Sequence, residues 1–333
     1  MNKHDRLDES DVRARPGRRG SRPRTKRRPE HADAVMAMVV GVDRGRWTCV
    51  LDGDPTAQVT AMRARELGRT PVVVGDQVGL VGDLAPGPES LARIVRVAER
   101  TSVLRRTADD TDPYERVVVA NAEQLLVVTA LADPPPRTGL IDRCLVAAYA
   151  GGLEPVLCLT KRDLVGAADV DALVERYRAL EVPVLVTGPS GDLGEVRGRL
   201  GTRLSALVGH SGVGKSTLVN RLVPSALRTT AEVSAVGKGR HTSTSAVALP
   251  LAGGGWVVDT PGIRSFGLAH VSADDVVAAF GDLAAAIADC PRGCTHLGPP
   301  ADPECALDEL TGTPWRRAES VRALLTALTE GRW

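Results

Sequence analysis

Between residues 34 and 100 the apolar positions fall in short runs: Val35–Val42, Trp47–Leu51, Gln58–Met62, Val72–Val81 and Ala92–Ala98. Asp43, Gly53 to Pro55, Gly75-Asp76 and Pro86 to Pro88 separate them. Apolar or alternating runs punctuated by Gly, Asp and Pro predict strands, and five short strands with no helical period predict a small barrel of the OB type. Near residue 115 the period changes. Apolar runs at 124–130, 154–160, 183–187, 203–208 and 255–259 alternate with helical stretches at 139–150, 169–180 and 215–222. That alternation predicts a parallel sheet with crossover helices. Gly151-Gly152 is placed to close the first helix, and Ser272 with Asp275 spells a capping box before an Ala/Val-rich helix. The divisions expected are an arm over 1–33, a barrel over 34–100, an α/β domain over 101–270 and a cysteine-bearing helical domain over 271–333.

Composition narrows the class. Of 333 residues, 43% are hydrophobic and 25% charged, as in a globular protein, and no apolar run is long enough to span a membrane. Charges at the N-terminus are not followed by an apolar core, so a secretory signal is not expected. Six cysteines in so long a chain argue against a disulfide scaffold and for a reducing cytoplasm. The net charge of +1 hides an asymmetry: nine basic side chains and no acidic one lie between Arg13 and Arg28, broken by Gly and Pro. Such a stretch cannot bury a core and reads as a disordered basic arm suited to contact with nucleic acid. Lysine occurs only at positions 3, 26, 161, 215 and 238. A lysine outside the arm therefore marks a place where arginine does not serve.

The chemistry centres on Gly209-His210-Ser211-Gly212-Val213-Gly214-Lys215-Ser216-Thr217, which satisfies G-x-x-x-x-G-K-[ST] between an expected strand and an expected helix. Its glycines let backbone N–H groups turn inward around phosphates, Lys215 can reach the β/γ oxygens, and Ser216 can ligate Mg²⁺. Asp259-Thr-Pro-Gly262 follows an apolar run, as the Mg²⁺-side motif of a P-loop NTPase does. Thr160-Lys161-Arg162-Asp163 follows another and matches the guanine tetrad Asn-Lys-x-Asp, with Thr160 at the Asn position. The Asp163 carboxylate can accept from the N1 and N2 edge of guanine, a donor pair that adenine lacks. Thr187-Gly188 is placed to add backbone contacts near the base.

The order of these motifs matters. The base tetrad precedes the P-loop, whereas an ordinary GTPase runs the other way, so the domain is expected to be circularly permuted. The Asp-x-x-Gly end then leads into the C-terminal segment, a route for transmitting nucleotide state. Gly237 to Thr244 is the candidate switch, with Thr242 the first choice for the threonine that meets Mg²⁺ and Thr244 the second. His241 is a candidate for positioning water. Ile263 stands where a Ras-type enzyme has its water-orienting Gln, which predicts slow hydrolysis dependent on a partner or another residue. Downstream, Cys290, Cys294, His296 and Cys305 form a C-x3-C-x-H-x8-C pattern. Three thiolates and one imidazole suit a closed, tetrahedral structural zinc site. Cys49, Cys144 and Cys158 lie in apolar runs and are expected in the core.

A β-barrel, a permuted GTPase and a Cys/Cys/His/Cys knuckle together resemble the ribosome small-subunit-dependent GTPase A family over residues 35–330. The resemblance implies an OB-fold barrel and GTP hydrolysis to GDP stimulated by the small ribosomal subunit. It also implies binding to 16S rRNA near the decoding site and a role in late 30S maturation, in a cytoplasmic monomer. It places nucleotide contacts on Thr160–Asp163 and Gly209–Thr217, and zinc on Cys290, Cys294, His296 and Cys305. His210 stands where the family often has Gln, and the cysteine spacing differs by a residue fewer before Cys294 and a longer gap before Cys305. Two other readings stay open on the sequence: an RNA-binding scaffold with a structural nucleotide, and a permuted GTPase of the large subunit.

Overall fold

A computed structural model describes residues 31–68, 70–106, 116–223, 246–260, 268 and 271–330. The basic stretch of the arm, the Gly237–Thr244 switch candidate and Gly262 with Ile263 lie outside them.

Five strands close a barrel: β1 (Val35–Asp43), β2 (Arg46–Leu51), β3 (Gln58–Arg63), β4 (Gln77–Gly82) and β5 (Gly87–Val97). Their order is β1-β2-β3-β5-β4, and a β1–β4 pairing returns to the start, so the OB-like barrel has no free edge within itself. β3 and β5 run parallel; the other barrel pairs are antiparallel. Alternation explains the interior: Ala37, Val39, Cys49, Val59, Ala61, Val78, Leu80, Ala92 and Ile94 point inward and are buried. The run expected as one strand over Val72–Val81 divides. Residues 72–76 form a turn, because the fully buried Asp76 accepts from the Val73 N–H at 2.7 Å and from Arg100 at 2.7 and 2.9 Å. Gly75 takes φ +88° there, and a Cβ on it would lie 1.9 Å from the Ala120 carbonyl oxygen.

β6 (Val103–Arg106) and β7 (Arg116–Ala120) pair in a small antiparallel sheet. The α/β half then runs β8 (Gln124–Ala130), α1 (Thr138–Ala150), β9 (Glu154–Thr160), α2 (Ala167–Arg178), β10 (Val184–Val186), α3 (Gly194–Leu200), β11 (Leu204–Val208) and α4 (Lys215–Leu222). β12 (Val247–Pro250) and β13 (Trp256–Asp259) complete it. The strand order is β10-β9-β8-β11-β13-β12, all parallel except β12. β8 is buried at every position, as a central strand covered on both faces must be. Cys49, Cys144 and Cys158 are buried as expected.

The sheet does not stop at β12. Gly41 of β1 pairs with Val247 of β12, so barrel and α/β half share one eleven-stranded sheet. Val40 and Val50 face away from the barrel interior and join the same apolar cluster as Leu125, Leu145 and Val258.

Three helices follow: α5 (Ala273–Val277), α6 (Gly281–Ala286) and α7 (Gly312–Glu330). The Ser272–Asp275 capping box forms as expected. α7 buries Ala318, Val321, Leu324 and Leu325 in the cluster that holds α1. Its Arg317 donates to Asp282 at 2.6 Å, to Glu181 and to the Ala179 carbonyl at the end of α2. Within the α/β half, Tyr177 donates to Asp142 at 2.9 Å and ties α2 to α1. Burial pushes the Asp142 carboxyl above its ordinary range, against the opposing pull of Tyr177 and Arg176.

Candidate functional site

The sequence-marked residues meet at the carboxyl ends of β9, β10, β11 and β13, the edge where open α/β sheets bind ligands. β11 is central and delivers Gly209–Gly214 into the start of α4. The glycines are required there. A Cβ on Gly209 would sit 2.4 Å from the Val128 carbonyl oxygen, while Gly212 and Gly214 take φ +82° and +90°. Val213 is buried beneath the loop, and Ser211, Ser216 and Thr217 are exposed on it. His210 lies beside Ser211, its Nδ1 2.9 Å from the Ser211 carbonyl, and its Nε2 is 3.3 Å from Arg137.

Lys215 links the two phosphate-side motifs. Its Nζ donates to Asp259 Oδ1 at 2.8 Å and to the Thr260 carbonyl at 3.1 Å. Asp259 and Ser216, both hard oxygen donors at the end of β13 and the start of α4, are of the kind that suits Mg²⁺. Thr242, His241 and Gly262 lie outside the described residues.

On the base side, β9 ends in Thr160 and the chain turns at Lys161, at φ +58°, into a single 3₁₀ turn carrying Arg162 and Asp163. Thr160 is buried, and its hydroxyl donates to the Val213 carbonyl at 2.5 Å. A threonine at the Asn position thus fastens the base strand to the P-loop directly. Lys161 Nζ donates to the Asp133 carbonyl. Thr187, at the end of β10, is buried and donates its N–H to the Leu159 carbonyl at 2.8 Å; a Cβ on Gly188 would lie 3.4 Å from Asp163 Oδ1. Between these residues and Gly214, Thr217 and Leu218 opens a cavity of about 310 Å³. Sequence reasoning missed Arg221, which reaches from α4 to the Gly188 carbonyl at 2.9 Å and to the Gly191 carbonyl, clamping the loop beyond β10. An arginine within a helix carries no sequence signal for such a role.

The four predicted metal ligands also come together. One donor atom from each of Cys290, Cys294, His296 and Cys305 lies within 4.8 Å of all the others. His296 and Cys305 are buried. Burial, with the neighbouring Cys305 and Cys290 thiols, pushes Cys294 up to about 12. Three sulfurs and one imidazole set this close could hold a soft or borderline cation, which takes the sulfurs as thiolates. Asp302 braces the loop by accepting from the N–H groups of Thr295 and Leu297, both at 3.0 Å.

Residues 97–269 match the model of the family described as RsgA GTPase. The chain is 38% identical over 271 residues to the small ribosomal subunit biogenesis GTPase RsgA of Chlorobaculum parvum, covering 79% of this chain and 87% of that one. It is 40% identical over 243 residues to the protein of the same name from Pseudomonas aeruginosa, 71% of this chain and 69% of that one. The chain belongs to the RsgA GTPase family. The RsgA fold extends to solved structures: YloQ, a circularly permuted GTPase, superposes with TM-score 0.62 at 21% identity, over 91% of this chain and 98% of that one. YjeQ from Thermotoga maritima gives 0.61 at 24%, over 88% and 98%. The permuted motif order is therefore that of an RsgA-type GTPase. No helix among the described residues is long and apolar enough to cross a membrane.

Proposed function

We propose that this GTPase binds the 30S ribosomal subunit through 16S rRNA and acts as a late maturation checkpoint, hydrolysing GTP to GDP and phosphate when the subunit stimulates it. The observation that carries the reading is the convergence at one sheet edge of Lys215, Asp259 and the cavity rimmed by Asp163, in a permuted chain that runs on into the Cys3His lobe. The names of the relatives supply the subunit. The division into an arm (1–33), a barrel (34–100), a GTPase domain (101–270) and a zinc-knuckle helical domain (271–333) belongs to this proposal, as do a cytoplasmic location and a monomeric state.

In this reading Asp163 accepts from the guanine N1 and N2 donors, Lys161 lies along the base, and Thr187-Gly188 contributes backbone groups. Arg162 holds the turn by donating to the Val165 carbonyl at 2.7 Å. The N–H groups of His210–Thr217 surround the phosphates, and Lys215 exchanges its contact with Asp259 for the β/γ oxygens. Ser216 and Thr242 would hold Mg²⁺, which supplies charge neutralisation at the phosphates. Gly262 offers its N–H to the γ-phosphate, and His241 orients or reports the attacking water. With Ile263 at the glutamine position, intrinsic hydrolysis is slow and depends on a partner or on another residue. Zinc, held by Cys290, Cys294, His296 and Cys305, would supply structural cross-linking of the C-terminal lobe.

The test is GTP turnover by the purified chain alone, with 30S and with 50S subunits, ATP serving as control. Strong stimulation by 30S and none of ATP turnover is the expected result. Equal slow turnover in every mixture would leave an RNA-binding scaffold, and stimulation by 50S alone would assign the wrong subunit.

A further inference from the structure

The Cys3His cluster has charged neighbours that are not ligands. His296 Nδ1 faces the sulfurs, 3.6 Å from Cys290 Sγ, while Nε2 points the other way, 2.8 Å from Asp274 Oδ1. A carboxylate only accepts, so Nε2 carries the proton and Nδ1 presents its lone pair toward the thiols. A tetrahedral ion with bonds of about 2.3 Å to sulfur and 2.0–2.1 Å to nitrogen needs an S···N edge of about 3.6 Å, which the Cys290–His296 pair already has. His296 also takes φ +60°, a conformation costing a non-glycine residue on the order of 1 kcal/mol. Something must hold it there.

Arg322 of α7 does part of this. Its Nε donates to the His296 carbonyl at 3.2 Å, and Nη1 reaches Asp308 at 2.8 Å and Glu319 at 3.3 Å. Its Nη2 is buried without a hydrogen-bond partner among the described residues. A divalent ion with three thiolates and a neutral imidazole carries a net −1, and the guanidinium, shared with Asp308 and Glu319, brings a positive charge to the ligand loop. Gly298 packs against this guanidinium so closely that a Cβ would lie 2.8 Å from Cζ.

We propose that Asp274 and Arg322 are positioning residues of the metal centre: Asp274 fixes His296 as an Nδ1 ligand, and Arg322 clamps the ligand loop and brings a positive charge to it. This rests on the cluster holding a metal. Asp274 lies on α5, the first described helix after Asp259. Asp274, the second residue of that helix, is thus in hydrogen-bond contact with one of the four candidate ligands, His296.

The experiment uses the full chain. Metal analysis and chelator competition with Zn²⁺ first measure stoichiometry and affinity of the wild type, with one zinc per chain expected. Long-range proton–nitrogen correlation spectra of the zinc-loaded protein then read the His296 tautomer, with Nδ1 metal-bound and Nε2 protonated. Asp274→Ala is expected to weaken zinc binding roughly 10–100-fold, and Asp274→Asn, which keeps an acceptor, to restore most of it. Arg322→Gln is expected to weaken binding about tenfold, with partial recovery in Arg322→Lys. GDP affinity equal to wild type shows that each variant is folded. Zinc on Nε2, or an Asp274→Ala affinity within about twofold of wild type, overturns the assignment while leaving the metal reading intact. A wild-type chain that takes up no zinc overturns the metal reading and this inference with it.

Discussion

The nucleotide cleft and the Cys3His cluster are assembled on opposite plans. In the cleft, Thr160, Thr187, Lys215 and Asp259 are far apart in sequence and meet because parallel strands end at a common edge. In the cluster, all four donors fall between residues 290 and 305, none is on a strand, and short turns bring them together. Packing and ladder hydrogen bonds of the whole domain hold the cleft. The cluster is braced by Asp302 and Arg322, with Cys305 packed into the apolar cluster that holds α1 and α7. A sheet-borne site keeps its shape when one functional group is lost, whereas a loop-borne site depends on what it binds.

The sharpest break between the two comes from Lys215→Ala. It is expected to lower GTP turnover about 100-fold or more while leaving the melting temperature close to wild type, since Lys215 contributes charge rather than packing. Single-turnover hydrolysis and a thermal scan read both. Cys294→Ser should do the reverse. Metal is lost and the loop around residues 290–305 is cleaved by protease about tenfold faster, with GDP affinity nearly unchanged. Limited proteolysis beside calorimetric titration checks this; a large loss of GDP binding would mean that the two sites are one cooperative unit. The smallest effect is expected for Thr160→Val, which leaves the Val213 carbonyl without its 2.5 Å donor. A cost of about 1 kcal/mol, roughly fivefold in GDP affinity, follows from losing one buried hydrogen bond. Thr160→Asn should restore it.

Sequence patterns made the two plans legible to different degrees. The P-loop, the strand before Asp259 and the barrel strands were readable because each is a local pattern whose spacing has a physical reason. The Cys/His spacing marked the four donors that cluster in the same way. What stayed hidden was whatever depends on side chains meeting across the fold. Arg221 on the Gly188 loop and Asp274 on His296 are ordinary polar residues in their own segments. The turn over residues 72–76 was hidden for a related reason: its valines read as strand, and only the buried Asp76–Arg100 pair bends the backbone. α3 went unseen because its two glycines weaken any helical signal.

The permuted order also sets a sequence of events during synthesis. A chain growing from its N-terminus completes the barrel first, then the base-side turn at Thr160–Asp163, and only afterwards the loop that receives phosphates. At roughly 5–20 residues per second, the interval between those two halves of the cleft is a matter of seconds. During it the base-side turn lacks Gly214, Thr217 and Leu218, the other wall of its own cavity, so the cleft is not complete until α4 is made. β1 waits longer still: its partner on β12, Val247, is made some two hundred residues after Gly41. That pairing joins one of the first strands made to the strand that lies beside β13 and Asp259.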